Sequence, residues 1–224
     1  NLVDEHEGSA KAALKWALTA FLRSPAFWIV CSLSLGTTLL RETFNTWTPT
    51  YFTEVVGLSK ADAASKSALF PLFGGVSVLL AGFISDKLGR NGRALIILIG
   101  LLLTSAGLWL LGHARFGGSP ALPVLLVAAV AFTLIGPYSY LAGAISLDFG
   151  GKRGSATASG IIDGVGYLGG VLAGDTVARV SVSFGWQGAF TALAGVALLS
   201  SLAAALFLIG QRRSVKTKIE MEAT

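Results

Sequence analysis

Long apolar stretches, separated by short polar or basic clusters, set the pattern of this chain. Six of them, at 26–51, 66–84, 94–111, 122–147, 156–180 and 187–209, approach the roughly 20 residues a helix needs to cross a hydrocarbon core. Backbone groups in lipid must be satisfied within the chain itself, so each stretch predicts a spanning helix. The expected fold is all-α, a polytopic membrane protein with six transmembrane helices arranged as two three-helix repeats. Residues 1–25 read as a cytoplasmic linker, 26–210 as the transmembrane bundle, and 211–224 as a polar, unstructured cytoplasmic tail. Within the linker, Leu14, Leu18, Phe21 and Leu22 share one face and Lys11, Lys15 and Thr19 another. That spacing predicts a short helix over 9–23, lying on the membrane surface before Pro25. Outer connections are expected around 54–66 and 115–120, with a tight one around 183–186.

Composition supports the membrane reading: 53% of residues are hydrophobic, 13% are charged, and 28 of 224 are glycine. The polar opening from Asn1 to Glu7 lacks a charged start followed by a short apolar core, so none of the apolar stretches is expected to be a signal peptide. Cytoplasmic loops retain Lys and Arg. Twelve of the 17 lie on one side of the predicted topology, four on the other, and Arg41 falls inside a span. Both termini are therefore expected in the cytoplasm, with a plasma or inner membrane as the location. This asymmetry accounts for the net charge of +5, so a nucleic-acid partner is rejected. Cys31 lies alone in an apolar helix and reads as packing.

Arg41 carries the chemistry. A full charge at bilayer depth costs at least about 2.5 to 3.5 kcal/mol and marks a functional position by default. Thr37, Thr38, Arg41, Asn45 and Thr48 follow helical spacing, predicting a polar stripe along a cavity. A guanidinium matches phosphate oxygens and keeps its charge when desolvated, so a phosphorylated ligand is expected, an ion pair with Asp163 being the structural alternative. Glu42 projects about 100° around the helix from Arg41; it is read as a gate or an interhelical bond, not as the partner of Arg41. Asp163 lies mid-span with Ser159 and Tyr167 four residues away on either side. It could bind a proton, accept hydrogen bonds from sugar hydroxyls or pair with Arg41, and the sequence leaves these open. Gly166, Gly170 and Gly174 repeat every four residues, a spacing that lets helices approach closely. Asp86 to Arg93, with Arg90 between them, joins an acid to basic residues on a glycine turn, fit for a charge clasp. His6 and His113 fall in connections. No metal cluster, nucleotide loop or catalytic constellation converges at one depth, so no enzyme activity, cofactor or metal is expected.

The segment Gly82-Phe83-Ile84-Ser85-Asp86-Lys87-Leu88-Gly89-Arg90 resembles the signature loop of the major facilitator superfamily. That resemblance implies a role for Asp86 and Arg90 in locking a cytoplasmic-closed state. Leu39-Leu40-Arg41-Glu42-Thr43-Phe44-Asn45-Thr46-Trp47-Thr48-Pro49-Thr50-Tyr51 is similar to the seventh helix of organophosphate:phosphate antiporters. In them an arginine at the Arg41 position grips phosphate together with a second arginine from the first helix, which this chain does not carry. Gly136-Pro137-Tyr138 resembles the tenth helix, and Gly166-Tyr167-Leu168-Gly169-Gly170 with Phe184 to Phe190 continues the likeness. Ile161-Ile162-Asp163-Gly164 is similar to the eukaryotic sugar-phosphate exchangers. The resemblance implies the carboxy-terminal bundle of such an antiporter, paired with a missing amino-terminal six-helix bundle. It adds Tyr138 to Arg41, Asn45, Thr38, Asp163 and Tyr167 as expected substrate contacts. Pro71 stands where several members have an acidic residue, so that acid's role does not carry over.

The expected function is exchange of a phosphorylated metabolite, such as glycerol-3-phosphate or a hexose phosphate, for inorganic phosphate by alternating access. Two alternatives stand beside it. One is a membrane sensor that binds sugar phosphate without moving it, and the other a proton-coupled organic-anion symporter in which Asp163 titrates.

Overall fold

The computed structural model describes residues 18–114 and 118–222, without the side chains of 89–91, 152–153, 214–220 and 222. Helix is the only regular structure among them. In chain order they form α1 (Pro25–Glu54), α2 (Lys60–Ser67), α3 (Leu69–His113), α4 (Ala121–Tyr140), a π-helical turn (Leu141–Ile145) and α5 (Ser146–Glu222). Four stretches are long and apolar enough to cross a membrane: Lys60–Leu88, Gly92–His113, Ala121–Gly151 and Gly154–Arg213. At 30 residues α1 is also long enough, about 45 Å at 1.5 Å per residue, but Arg41, Glu42 and its threonines dilute its apolar character.

Local chemistry sets the helix ends. Ser24 caps α1, its hydroxyl accepting from the Phe27 amide at 3.4 Å, and Pro25 supplies the pre-set first turn. Residues 18–23 of the expected surface helix are helical, whereas 9–17 lie outside the described residues. The first outer connection is more ordered than a loop. Gly57 turns the chain at φ 75°, and Ser59 then caps the short α2, its hydroxyl accepting from the Asp62 amide at 3.1 Å. His113 belongs to the end of α3 rather than to a connection, its ring stacked on Trp109. Helical backbone also continues through 213–222, where the sequence suggested an unstructured tail.

Two of the helices are not single rods. Gly151 (φ 57°) and Gly185 (φ 68°) interrupt α5 in the left-handed region that glycine tolerates best. In α3, Gly74 faces Ile135 while Gly100 faces Thr133 and Pro137. Those two glycines would stand about 39 Å apart on a straight helix, yet they meet the same short stretch of α4. Arg93 likewise reaches Ser85 at 2.8 Å, eight residues back. The rod therefore folds back between Ser85 and Arg93.

Pairwise contacts fix the directions of the resulting arms. Gly74, Ser77 and Ala81 meet Ile135, Gly136 and Tyr140, so 69–88 runs parallel to α4. Gly100, Thr104 and Gly107 meet Pro137, Thr133 and Val130 in reverse order, so 92–113 runs antiparallel to it. Ser34, Glu42 and Trp47 of α1 advance with Gly166, Gly170 and Ala173, a parallel pair. Gly36 meets Ser200 and Phe44 meets Phe190, so 186–213 opposes α1. Gly112 lies on Gln187 and Ser105 bonds to Ala194, so 186–213 also opposes 92–113. Each arm therefore reverses the one before it, as a serpentine through a bilayer requires.

Small residues permit these approaches, because helices in lipid associate by close packing rather than by escape from water. A Cβ on Gly169 would strike the Leu35 carbonyl oxygen, and one on Gly136 would strike Ser77. The glycine repeat is confirmed as packing for Gly166, which faces Ser34 and Thr38, and Gly170, which faces Glu42, but Gly174 has open space and Gly169 is the tightest of the set. Aromatic clusters close both ends. Phe21 stacks on Phe27, which meets Phe149 edge-on, while Tyr51, Trp186 and Phe190 converge at the other end. There the Trp186 indole donates to Glu54 at 2.8 Å. Cys31 is buried, consistent with packing.

Candidate functional site

Three helical arms meet around Arg41. Its guanidinium carbon stands 4.7 Å from the centroid of the Tyr138 ring, carried by α4, and Tyr167 of α5 is within interaction range. Tyr138 follows Pro137 and precedes the π-helical turn. Proline deletes one helical hydrogen bond and a π-turn shifts the register, so the backbone beside Arg41 departs from a regular helix. The aromatic face beneath the cation stabilises it by about 0.5 to 2 kcal/mol without neutralising it.

The acid that engages Arg41 is its sequence neighbour, contrary to the geometry expected from helical spacing. Arg41 donates through Nε at 3.0 Å and Nη2 at 2.7 Å to the same Glu42 oxygen, Oε1. A rise of only 1.5 Å between the two residues lets long side chains curl toward each other although their Cβ atoms diverge. The side chains remain 22% and 28% exposed. Arg41 is thus held by an acid yet still reachable, and the ion pair weighed with Asp163 is replaced by one with Glu42.

The polar stripe divides. Thr37 and Thr48 are buried, their hydroxyls donating to the carbonyls of Leu33 at 2.7 Å and Phe44 at 2.6 Å. Threonine in a helix satisfies its hydroxyl by bonding back four residues, which lets it pack away from any cavity. Thr38 is 1% exposed and lies against Gly166, so it faces the α1–α5 contact rather than the open side. Asn45 is exposed one turn beyond Arg41. Asp163 is partly buried on α5, one turn before Tyr167, which is 59% exposed. Arg41, Glu42, Tyr138 and Tyr167 therefore form one cluster, flanked by Asn45 and Asp163.

The basic turn forms a second centre at the other end of the arms. Asp86 is exposed, and the side chain of Arg90 lies outside the described residues. Arg93 makes the interhelical link, donating to Ser85 at 2.8 Å and to Asp148 at 3.1 Å, with both members of the ion pair about four-fifths buried. The Tyr140 hydroxyl donates to the Ala81 carbonyl close by. A charge clasp was legible in the sequence as a possibility; its acidic member, Asp148, was not. The signal available was a lone carboxylate ending an apolar span.

Over 213 residues, 94% of this chain and 47% of the relative, the sequence is 27% identical to the membrane sensor protein UhpC of Escherichia coli (strain K12). It is 32% identical to the glucose-6-phosphate exchanger SLC37A2 of Bos taurus over 171 residues, 73% of this chain and 34% of that one. It is 26% identical to the glycerol-3-phosphate transporter of Bacillus subtilis (strain 168) over 189 residues, 83% and 41% of the two. The chain spans less than half the length of each of these proteins. Its match to the Major Facilitator Superfamily runs through residues 2–174. An apolar helical serpentine with that match belongs to the Major Facilitator Superfamily, and is an integral, multi-pass membrane protein of a transport family rather than an enzyme.

Proposed function

We propose that this chain forms the carboxy-terminal six-helix bundle, two three-helix repeats, of a secondary transporter that exchanges a phosphorylated metabolite for inorganic phosphate. Arg41 is the observation that carries the reading. It is a reachable guanidinium on a helix long enough to cross a membrane, backed by the Tyr138 ring, and it can offer phosphate oxygens a fork of charge-assisted donors. Asn45, Tyr138, Tyr167 and Asp163 surround the ligand, the last two available to hydroxyls of its organic part. The alternating arm directions support six spans. Relatives named as a glucose-6-phosphate exchanger and a glycerol-3-phosphate transporter support the substrate class.

A second, amino-terminal bundle faces Arg41 and completes the site, since binding between bundles near the bilayer midplane is the usual plan of such carriers. Both termini lie in the cytoplasm, so the Arg93–Asp148 clasp with Asp86 and Arg90 sits at the cytoplasmic end. Ligand at Arg41 lowers the barrier to rocking by making contacts to both bundles that are strongest as the site closes.

Counterflow tests this. Liposomes holding the full-length protein and loaded with phosphate take up labelled glycerol-3-phosphate or hexose phosphate, and Arg41→Lys abolishes uptake. Flux indifferent to internal phosphate but following the pH gradient replaces exchange with proton-coupled symport. The similarity to a membrane sensor protein favours one other reading, a receptor for sugar phosphate; binding that depends on Arg41, with no flux in either direction, establishes it.

A further inference from the structure

Glu42 is unexplained by the exchange reading, and its geometry is specific. Its Oε1 occupies the Nε–Nη2 edge of Arg41 with two hydrogen bonds. Gly170 on α5 makes room for this: a Cβ there would stand 3.2 Å from the Glu42 Cγ, tighter than ordinary packing. The carboxylate stem thus lies in a notch of the neighbouring helix, which keeps it folded toward the guanidinium. The facing elements bring Tyr138 from α4 and Tyr167 and Asp163 from α5.

We infer that Glu42 is a resident counter-anion of Arg41, which an incoming ligand must displace and which thereby sets how strongly an anion must bind to hold the site. The inference rests on the assignment of Arg41 as the phosphate site. A carboxylate tethered one residue away competes as an intramolecular ligand, at an effective concentration of at least millimolar order. A free monocarboxylate brings the same charge and the same fork-matching oxygens, so it gains nothing by exchanging places with Glu42. A phosphate dianion brings twice the Coulombic attraction and three acceptor oxygens. The occupied edge therefore lowers the affinity of both ligands by one factor, which leaves a free carboxylate too weak to hold the site while the dianion still binds.

The test is calorimetric binding of inorganic phosphate and of glycerate, a hydroxylated monocarboxylate, to the full-length protein and its Glu42→Gln variant. Glutamine keeps the shape and removes the competing charge. Phosphate is expected to bind about fivefold tighter to the variant, the upper range for a partly exposed pair. Glycerate is expected to gain by the same factor or less, since a displaced competitor weakens every ligand alike and a monoanion is repelled less by the freed carboxylate. Glu42→Asp, whose shorter stem cannot span both donors, is expected to fall between the two and serves as the readout if the Gln variant fails to fold. Phosphate binding that weakens in these variants makes Glu42 a positioning residue for Arg41, and phosphate binding that stays unchanged shows that Glu42 is not displaced; either result overturns the inference. Phosphate that binds neither wild type nor variant removes the Arg41 assignment itself, a distinct outcome.

Discussion

Arg41 is useful because its charge is stabilised from one side and left available on another. Tyr138 provides a quadrupole that favours the cation while offering no competing anion. Lysine at this position keeps the charge and loses the planar fork, so Arg41→Lys is expected to weaken phosphate binding by at least about tenfold, the loss of one charge-assisted hydrogen bond. Equilibrium binding of labelled phosphate measures it directly. Removing the ring with Tyr138→Ala is expected to cost about 1 kcal/mol, or roughly fivefold in affinity. Tyr138→Phe keeps the ring face and is expected to bind as wild type does. A Phe variant as weak as the Ala variant would assign the effect to the hydroxyl and not to the ring. Glu42 belongs to the same balance, yet helical spacing hid it, because Cβ directions at neighbouring positions diverge while long side chains still meet.

Helix packing in this chain rests on backbone approach at a few glycines, and the glycines differ in what they permit. Gly169 sits on the Leu35 carbonyl, and a backbone oxygen cannot swing aside as a side chain can. Gly169→Ala is expected to force α1 and α5 apart at a cost of about 1 to 3 kcal/mol, the usual penalty of overpacking. The matching change Gly174→Ala meets no atom within 4 Å, so it is expected to be neutral or slightly stabilising. Thermal unfolding of the two variants in one detergent separates them, and equal losses would mean that glycine flexibility rather than packing is at stake. The four-residue repeat visible in the sequence identified Gly166 and Gly170 but passed over Gly169, since a spacing rule picks a face and not a depth of contact. The long apolar helices were legible because a bilayer demands long apolar runs, and the reversals at Gly185 and around Asp86 to Arg93 because turns there collect glycine and charge. The π-helical turn after Tyr138 was not legible, as Leu141 to Ile145 is an ordinary apolar sequence whose register is set by Pro137 and its neighbours. The threonine stripe misled for a physical reason: hydroxyls in helices bond to their own backbone, so threonine periodicity says little about water.

Alternating access requires two arrangements of nearly equal free energy, each held by contacts absent in the other. Across the described residues two polar links between arms stand at opposite ends: Arg93 with Asp148 at one, Trp186 with Glu54 at the other. Of the two, the Arg93–Asp148 pair is the more shielded, and Ser85 fixes the guanidinium besides. A hydrogen-bonded charge in such a setting contributes about 1.5 to 3 kcal/mol, enough to move a balanced equilibrium by more than tenfold. Its position between the 92–113 arm and the segment after the π-turn ties the fold-back of α3 to the start of α5, so breaking it loosens that end without touching Arg41. Arg93→Ala in the full-length protein is therefore expected to favour the state open at that end, read as faster labelling of single cysteines placed near Ser85 and Asp148. Phosphate affinity measured in detergent is expected to change far less than the labelling rate. Because Asp148 makes a further interaction besides Arg93, a charge swap need not restore the wild type. The decisive quantity is the coupling energy from a cycle of Arg93→Ala, Asp148→Ala and the double variant. A coupling near zero would show that the two charges lie together without holding that end closed, and the control of access would then have to reside in the packing of the arms.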